Sequence, residues 1–156
     1  MNFKWIDYSP ELADTVEGFL DKEAVKMTGI DEGFNDYYEY WVNEDETVVG
    51  ENFWCKVIYN EDTPIGVAAF GKSPSGEFVL SEFIVSPYMR GQGLGTSALS
   101  ELITNGEMII GQKIDKALAV IFPGNTASQK CFEKVGFKLH SVHPDGDALY
   151  YRYSAT

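Results

Sequence analysis

The sequence predicts one domain built around a mixed β-sheet, in the α/β or α+β class. Apolar segments at 52–59, 65–71 and 77–85 are separated only by turn-forming residues, which favours antiparallel strands. After residue 85 the predicted strands and helices alternate, which favours a parallel connection. A chain of 156 residues suits one domain that buries roughly 70% of its unfolded surface. Residues 1–156 contain no repeat or linker-like segment, so we expect no domain boundary.

The first third of the chain is predicted to be mainly helical. Residues 3–8 predict a short strand, and Ser9 with Pro10 is typical of a helix start. We expect that helix to end at Gly29 and a second helix, rich in aromatic residues, to cover 31–43. The first helix is supported by apolar residues at helical spacing, namely Leu12, Val16, Phe19 and Leu20.

The second half is predicted to hold two helices and three further strands. A helix from Leu94 to Ile110 is expected to end at Gly111, and a second, capped by Asn125, at Gly136. Between them, 116–122 is a continuous apolar run, as expected for a strand buried on both faces. Two final strands, 137–142 and 148–153, flank the turn at Asp145-Gly146.

The charge is strongly negative, with 24 acids against 12 bases and a net charge of −12. Nucleic acids and anionic membranes require basic surfaces, so neither is expected as a partner. A cationic substrate is compatible with this charge, although acidity also simply keeps a protein dispersed. No apolar run approaches the ~20 residues of a membrane span, and the N-terminus lacks a secretory apolar stretch. We therefore expect a cytoplasmic protein.

The cysteines and histidines predict no metal site. Cys55 lies in a strand-like run and Cys131 at a helical core spacing, so both are expected to be buried thiols. His140 and His143 are interpreted as surface residues that lie apart from any carboxylate or cysteine cluster.

A glycine-rich segment predicts a phosphate-binding loop. Arg90-Gly91-Gln92-Gly93-Leu94-Gly95-Thr96 joins a buried strand to an amphipathic helix. Its glycines let backbone amides approach an anion, the helix directs its positive end there, and Arg90 adds a cation. No Lys-Ser/Thr follows the last glycine, as a nucleoside-triphosphate loop requires, and the G-x-G-x-G spacing differs from the dinucleotide-binding G-x-G-x-x-G.

Together with a second block, this loop resembles the GNAT N-acetyltransferase superfamily. The loop matches the family's acetyl-CoA motif Arg/Gln-x-x-Gly-x-Gly/Ala, and residues 125–137 are similar to its Asn-x-x-Ala/Ser…Tyr-Glu-Lys-x-Gly-Phe helix. The resemblance covers 52–153 well and 1–51 only in element order. It implies a mostly antiparallel sheet with one splayed parallel pair, flanked by about four helices. It also allows a homodimer, although no segment marks an interface.

The resemblance implies that acetyl-CoA is the co-substrate, with no metal. In that family two parallel strands splay apart and the pantetheine arm pairs with free strand amides. The residues that match the family's cofactor site are Phe83, Ile84, Val85, Arg90, Gly91, Gln92, Gly93, Leu94, Gly95, Thr96, Asn125, Ser128 and Phe132.

Catalytic residues are less clearly marked. Many relatives carry a tyrosine general acid where this chain has Phe132, which cannot donate a proton; we expect Phe132 to pack against the cofactor arm. The leading candidate for the general base is Glu82, on the strand before the loop, although a carboxylate paired with a neighbouring base is the competing interpretation. Glu77 lies further from the loop, and Ser81 alone is too weak a base.

The acceptor site is expected in the region before residue 52. Between Lys26 and Lys56 there is no base but eight acids, interleaved with aromatics, which suits a cationic amine. The competing interpretation is a solvated acidic face over an ordinary core, to which Phe34, Trp41 and Phe53 belong in either case. The acids are Asp31, Glu32, Asp36, Glu39, Glu44, Asp45, Glu46 and Glu51; the other aromatics are Tyr37, Tyr38, Tyr40 and Trp54.

The resulting hypothesis is transfer of acetyl from acetyl-CoA to a primary amine of a cationic small molecule or peptide. Because of Phe132, a non-catalytic acyl-CoA-binding or sensing module is the alternative.

Overall fold

A computed structural model describes residues 3–44 and 47–155, and a seven-stranded sheet runs through them. The strands are Lys4–Asp7 (β1), Phe53–Asn60 (β2), Thr63–Lys72 (β3), Phe78–Val85 (β4), Lys116–Ile121 (β5), Lys138–Val142 (β6) and Leu149–Ser154 (β7). The helices are a 3₁₀ turn at Pro10–Leu12, then Ala13–Glu17 (α1), Lys22–Thr28 (α2), Phe34–Val42 (α3), Leu94–Thr104 (α4), Gly106–Ile110 (α5) and Thr126–Val135 (α6).

The strand order is β1-β2-β3-β4-β5-β7-β6, and only the β4–β5 pair is parallel within these described ranges. This confirms the predicted mixed, mostly antiparallel sheet with one parallel pair. The parallel connection from β4 to β5 runs through the glycine-rich loop, α4 and α5, as the alternation of elements predicts.

The described residues form six α-helices rather than about four, because two predicted helices are broken. The helix expected from Ser9 to Gly29 divides into the 3₁₀ turn, α1 and α2. Ser9 makes no capping hydrogen bond, whereas Asp21 caps α2 by accepting one from the Ala24 amide. The helix expected over 94–110 stops at Asn105. A Cβ at Gly106 would lie 2.7 Å from the Gln112 carbonyl oxygen, so this close approach requires a residue without a side chain.

Helices cover both faces of the sheet around β2, β3 and β4 and create two apolar clusters. One lies under α4 and α6 and contains Phe70, Leu99 and Phe137; the other lies under α1 and α3 and contains Val16, Phe34 and Val57. Burial alternates along β5, where Ala117, Ala119 and Ile121 are buried but Val120 is 44% exposed. The prediction that 116–122 is buried on both faces is therefore wrong, because only one face of β5 packs into a cluster.

The β4–β5 contact is short. Register pairs extend only from Phe78–Ala117 to Leu80–Ala119, while β4 continues along β3 as far as Val85. A register shift between Ala69 and Phe70 leaves Ser81 as an extra residue in β4, which is a β-bulge. Beyond Leu80 the two parallel strands therefore separate.

No helix among the described residues is long and apolar enough to cross a membrane.

Candidate active site

A cleft of about 380 Å³ opens where β4 and β5 separate. Its walls come from the end of β4, the glycine-rich loop, α2 and α6. Ten of the residues predicted to bind the cofactor line it, namely Phe83, Ile84, Val85, Arg90, Gly91, Gly93, Gly95, Thr96, Asn125 and Ser128. The structure thus brings together segments that are 40 residues apart in the sequence and that the two motifs mark independently.

Three predicted cofactor residues do not line the cleft. The Gln92 side chain is exposed and donates a hydrogen bond to the Tyr88 carbonyl oxygen, at 3.2 Å. Leu94 packs against the core under α4 and α6. Phe132 is 3% exposed and lies edge-on behind Phe83, so it supports the cleft wall from within the core.

The loop glycines fulfil two different requirements. Gly91 and Gly93 have positive φ angles of 80° and 77°, and a Cβ on either would meet no atom within 4 Å. Their backbone therefore borders open space, as an anion cradle requires. Gly95 has ordinary φ, but a Cβ there would lie 2.9 Å from the Val85 side chain, so its role is close packing of α4 on β4.

The first turn of α4 is also open to an anion. Gly93 precedes the helix and provides no side-chain cap, so no side chain occupies the first amides of α4. The helix of 11 residues directs the positive end of its dipole into the cleft. The backbone of the loop and the first turn of α4 are therefore suited to bind a phosphate group without a contribution from other segments.

Arg90 lines the cleft, but its guanidinium group is already paired with two carboxylates. The guanidinium donates to both carboxylate oxygens of Asp21, at 2.8 and 3.2 Å, and lies 3.8 Å from Glu23. Its Nε donates to the Val85 carbonyl oxygen. The hydrogen bonds from the Arg90 guanidinium to Asp21, followed by the one from the Ala24 amide, hold the pKa of Asp21 below its usual range. Arg90 therefore ties α2 to the loop, a contact that the motif alone does not reveal.

Sequence reasoning missed the α2 wall of the cleft and part of the α6 wall. On α2, Ala24, Met27 and Thr28 face the opening, and their i, i+3, i+4 spacing was the signal. On α6, Lys130, Cys131 and Lys134 line it, one and two turns after Ala127.

Cys131 is thus a partly buried wall residue and not the core thiol expected, whereas Cys55 is buried at 3% exposure. Asn125 caps α6 by accepting a hydrogen bond from the Ser128 amide at 3.1 Å, as predicted.

Glu82 directly precedes Phe83 in β4 but is not among the residues that line the cleft, and the bulge at Ser81 determines the direction of its side chain. Leu80 packs under α4 and α6, so regular alternation would put Glu82 on that same face. The extra residue pairs Glu82 with Ala69 instead, on the face shared with Ile84 and the helix α3. Burial raises the pKa of Glu82 to about 8. No base pairs with Glu82 among the described residues, which argues against the ion-paired interpretation.

Tyr37 on α3 lies close enough to Glu82 to interact with its charge. Its hydroxyl is buried and makes no hydrogen bond of ordinary geometry with the described part of the chain. Burial and then the charge of Glu82 raise the pKa of Tyr37, so the two groups lie close enough to interact. A buried hydroxyl without a partner is unfavourable by about 1–3 kcal/mol, which a bound water or ligand atom can relieve.

The acidic segment is exposed around α3. The described acids Asp31, Glu32, Asp36, Glu39, Glu44 and Glu51 are all exposed, and none pairs with a base in 3–44 or 47–155. Asp45 and Glu46 lie outside the described residues. Tyr40 is 66% exposed, whereas Phe34 and Phe53 are buried and Trp41 stacks on Phe53 at 5.8 Å, as expected of core residues. Trp54 belongs to the cluster on the opposite face and is removed from this region.

The interpretation of His143 as isolated is wrong. Its Nδ1 lies 3.7 Å from Asp145 and 3.2 Å from Asp147, because the turn before β7 brings the three side chains together. Both carboxylates are exposed, and exposed acids gather in this way without a ligand. His140, by contrast, is a surface residue beside Arg152.

Comparison with known proteins assigns the family. Residues 17–137 match the model of the acetyltransferase (GNAT) family, which covers more than half of the chain. The chain therefore belongs to the GNAT family and is an N-acetyltransferase. No curated protein sequence matches it.

Solved structures share the fold at low sequence identity. The chain is similar to the aminoglycoside acetyltransferase AAC(6′)-Ib in complex with coenzyme A, with 19% identity, a TM-score of 0.74 and coverage of 99% and 95% of the two chains. It is similar to the ribosomal-protein-S18-alanine N-acetyltransferase from Escherichia coli, with 15% identity, a TM-score of 0.69 and coverage of 99% and 95%. It is also similar to the Campylobacter jejuni N-acetyltransferase PseH in complex with acetyl coenzyme A, with 15% identity, a TM-score of 0.68 and coverage of 99% and 100%.

Proposed function

We propose that this protein transfers the acetyl group of acetyl-CoA to a primary amine of a cationic small molecule or peptide by direct attack. The observation that carries this proposal is the cleft between the separated ends of β4 and β5, bordered by the uncapped start of α4. Within residues 3–44 and 47–155 no strand pairs with one edge of β4 beyond Leu80, so backbone groups there can pair with the amide groups of the pantetheine arm.

The donor is acetyl-CoA, whose pyrophosphate fits the loop. The open space beyond Gly91 and Gly93 and the free first turn of α4 supply amide donors without a competing side chain. Phe83, backed by Phe132, gives an apolar wall against which the arm packs. The similar structures that contain coenzyme A or acetyl coenzyme A support this assignment.

The acceptor is a cationic amine that approaches from the α3 side. The six exposed acids attract positive charge, and Tyr40 offers an exposed aromatic face for a cation–π contact. Similar structures include an aminoglycoside acetyltransferase and a protein-alanine acetyltransferase, so polyamines, aminoglycosides and peptide amines are all candidates.

Glu82 acts as the general base. The acceptor enters as an ammonium ion and must lose a proton before its nitrogen attacks the thioester carbon. Glu82 takes that proton through a water molecule, and the Tyr37 hydroxyl provides the water with a hydrogen-bond partner. A carboxyl group with a pKa of about 8 is well matched to this task near neutral pH.

The leaving group needs no residue as an acid. The new C–N bond forms as the C–S bond breaks, and the nitrogen then releases its remaining extra proton to solvent. The departing thiolate takes a proton from solvent, since a thiol with a pKa near 8.5 is readily protonated. Phe132, where many relatives carry a tyrosine acid, is therefore compatible with turnover.

The test is release of free thiol from acetyl-CoA in the presence of spermidine, kanamycin and a peptide with a free N-terminus. We expect turnover with at least one amine, and a fall of at least about 100-fold in kcat for Glu82→Gln. Glu107→Gln, an exposed carboxylate on α5, is the control and should behave as the unaltered protein. Tight binding of acetyl-CoA with no turnover on any amine would contradict the proposal and favour an acyl-CoA-binding module.

A further inference from the structure

The cleft presents a charge problem to the proposed donor. Coenzyme A carries a pyrophosphate and a 3′-phosphate, and it must bind a chain whose net charge is −12. The charged side chains that line the cleft are Glu23, Arg90, Lys130 and Lys134. Arg90 is held by Asp21 and Glu23, so its charge is already balanced by two carboxylates. The cation for a second phosphate must come from elsewhere.

Two lysines on α6 satisfy this requirement. Lys130 and Lys134 are spaced i, i+4, and they line the cleft together with Ala127, Ser128 and Cys131 of the same helix. Both are exposed, and neither makes an ion pair with residues 3–44 or 47–155.

The pair is also unfavourable without an anion. Like charges at i, i+4 repel on a helix, and neither ammonium group is ion-paired with a carboxylate of the described residues. The field of Lys134 reaches the cleft wall, because it partly opposes the rise that burial causes in the pKa of Cys131. The positive charge of Lys134 therefore acts on a residue that lines the cleft.

We propose that Lys130 and Lys134 form a second anion site that binds the 3′-phosphate of coenzyme A. The inference rests on acetyl-CoA being the donor. The amides at Gly91, Gly93 and the start of α4 take the pyrophosphate, so the lysines on α6 take the terminal phosphate monoester. A monoester carries close to two negative charges at neutral pH, which suits two ammonium groups. Arg90 remains a positioning residue that ties α2 to the loop.

The experiment is calorimetric titration of acetyl-CoA and of 3′-dephospho-acetyl-CoA into the unaltered protein and into Lys130→Gln/Lys134→Gln. We expect the double variant to bind acetyl-CoA about tenfold more weakly but the dephospho analogue within about twofold of the unaltered protein. The control is Lys116→Gln/Lys138→Gln, which has the same net charge and alters two exposed lysines of β5 and β6.

Equal weakening for both ligands would overturn the proposal, because the lysines would then act on the pyrophosphate or on the total charge. Unchanged binding of both ligands would overturn it too. Absence of acetyl-CoA binding by the unaltered protein would refute the donor assignment, a different outcome from either of these.

Discussion

Glu82 owes its position to a single extra residue. Without the bulge at Ser81 its carboxylate would share a face with Leu80 inside the apolar cluster under α4 and α6. With the bulge it faces α3 and the hydroxyl of Tyr37. Bulges next to active sites often redirect a side chain in this way. A sequence pattern of period two gives no sign of such a shift, so the strand was predictable but the direction of Glu82 was not.

The raised pKa of Glu82 predicts the pH dependence of catalysis. Only the carboxylate accepts a proton, so kcat/KM should rise with pH and level off above an apparent pKa near 8. Glu82→Gln should lose this limb of the profile as well as most of the rate. Rate profiles from pH 6 to 10 check this; a variant that keeps the limb would show that another group titrates.

Gly93 predicts a sharp loss of donor binding. Gly93→Asp places a negative side chain where the loop borders open space, so acetyl-CoA should bind at least about 100-fold more weakly. The matched control is Gly76→Asp, which has a similar positive φ of 90° at an exposed turn far from the cleft. Both variants should lose about 1 kcal/mol of stability to backbone strain, but only the first should lose affinity in a calorimetric titration.

At the scale of elements, the Asp21 carboxylate makes two contacts that position α2. Asp21 caps the helix through the Ala24 amide and holds Arg90 of the loop. The cap could be anticipated from sequence, since an aspartate before a helical segment is a common start. The partner 69 residues away could not, because nothing local specifies that α2 lies against the loop.

Two substitutions separate these contacts. Asp21→Asn retains the cap and removes the ion pair, whereas Asp21→Ala removes both and should lower the free energy of unfolding by about 1 kcal/mol more. Since the folded pKa of Asp21 is depressed, its stabilising effect is present above the usual pKa of 3.8 and disappears as pH falls through the folded value. Urea denaturation at pH 7 and pH 2.5 tests this: a difference between the unaltered protein and Asp21→Asn that was as large at pH 2.5 as at pH 7 would contradict the role of the charge.

The broken helices show where prediction from sequence stops. Gly111 and Gly136 mark helix ends correctly, because both adopt left-handed backbone after the last turn. The interruption at Asn105 depends on the close approach of Gly106 to Gln112, a contact that no periodicity reveals. Helix ends were thus predictable where one residue determines them, and were missed where packing between segments does.

For the whole molecule, the uneven distribution of charge predicts a salt effect on the acceptor. The exposed acids around α3 attract a polycation over several ångströms, and salt shortens that range from about 10 Å at 0.1 M to about 3 Å at 1 M. KM for a polyamine should therefore rise several-fold between these concentrations, while that for a monoamine changes less. Asp36→Asn/Glu39→Gln should reduce the dependence, and Glu107→Gln/Asp115→Asn should not; steady-state kinetics at a series of salt concentrations decide.

The mixed sheet follows from local signals: turns between the first strands and the alternation of strands and helices after β4. The cleft could be located only from the strand pairing in the structure. Only three residue pairs join β4 to β5, and beyond them the two strands separate. The sequence motifs indicated the donor, and the three-dimensional arrangement added α2, Tyr37 and the lysines of α6.

The short β4–β5 contact also bears on how the protein exchanges hydrogen with solvent. No strand of the described part of the chain protects the amides of β4 beyond Leu80 that point away from β3, although these amides lie in the middle of a sheet. In deuterated water they should exchange as fast as loop amides, and acetyl-CoA should slow them to the rate of their neighbours on β3. The coenzyme would then take the place of a neighbouring strand. Mass spectrometry of overlapping peptides covering 78–85 would measure the deuterium uptake of β4 with and without acetyl-CoA.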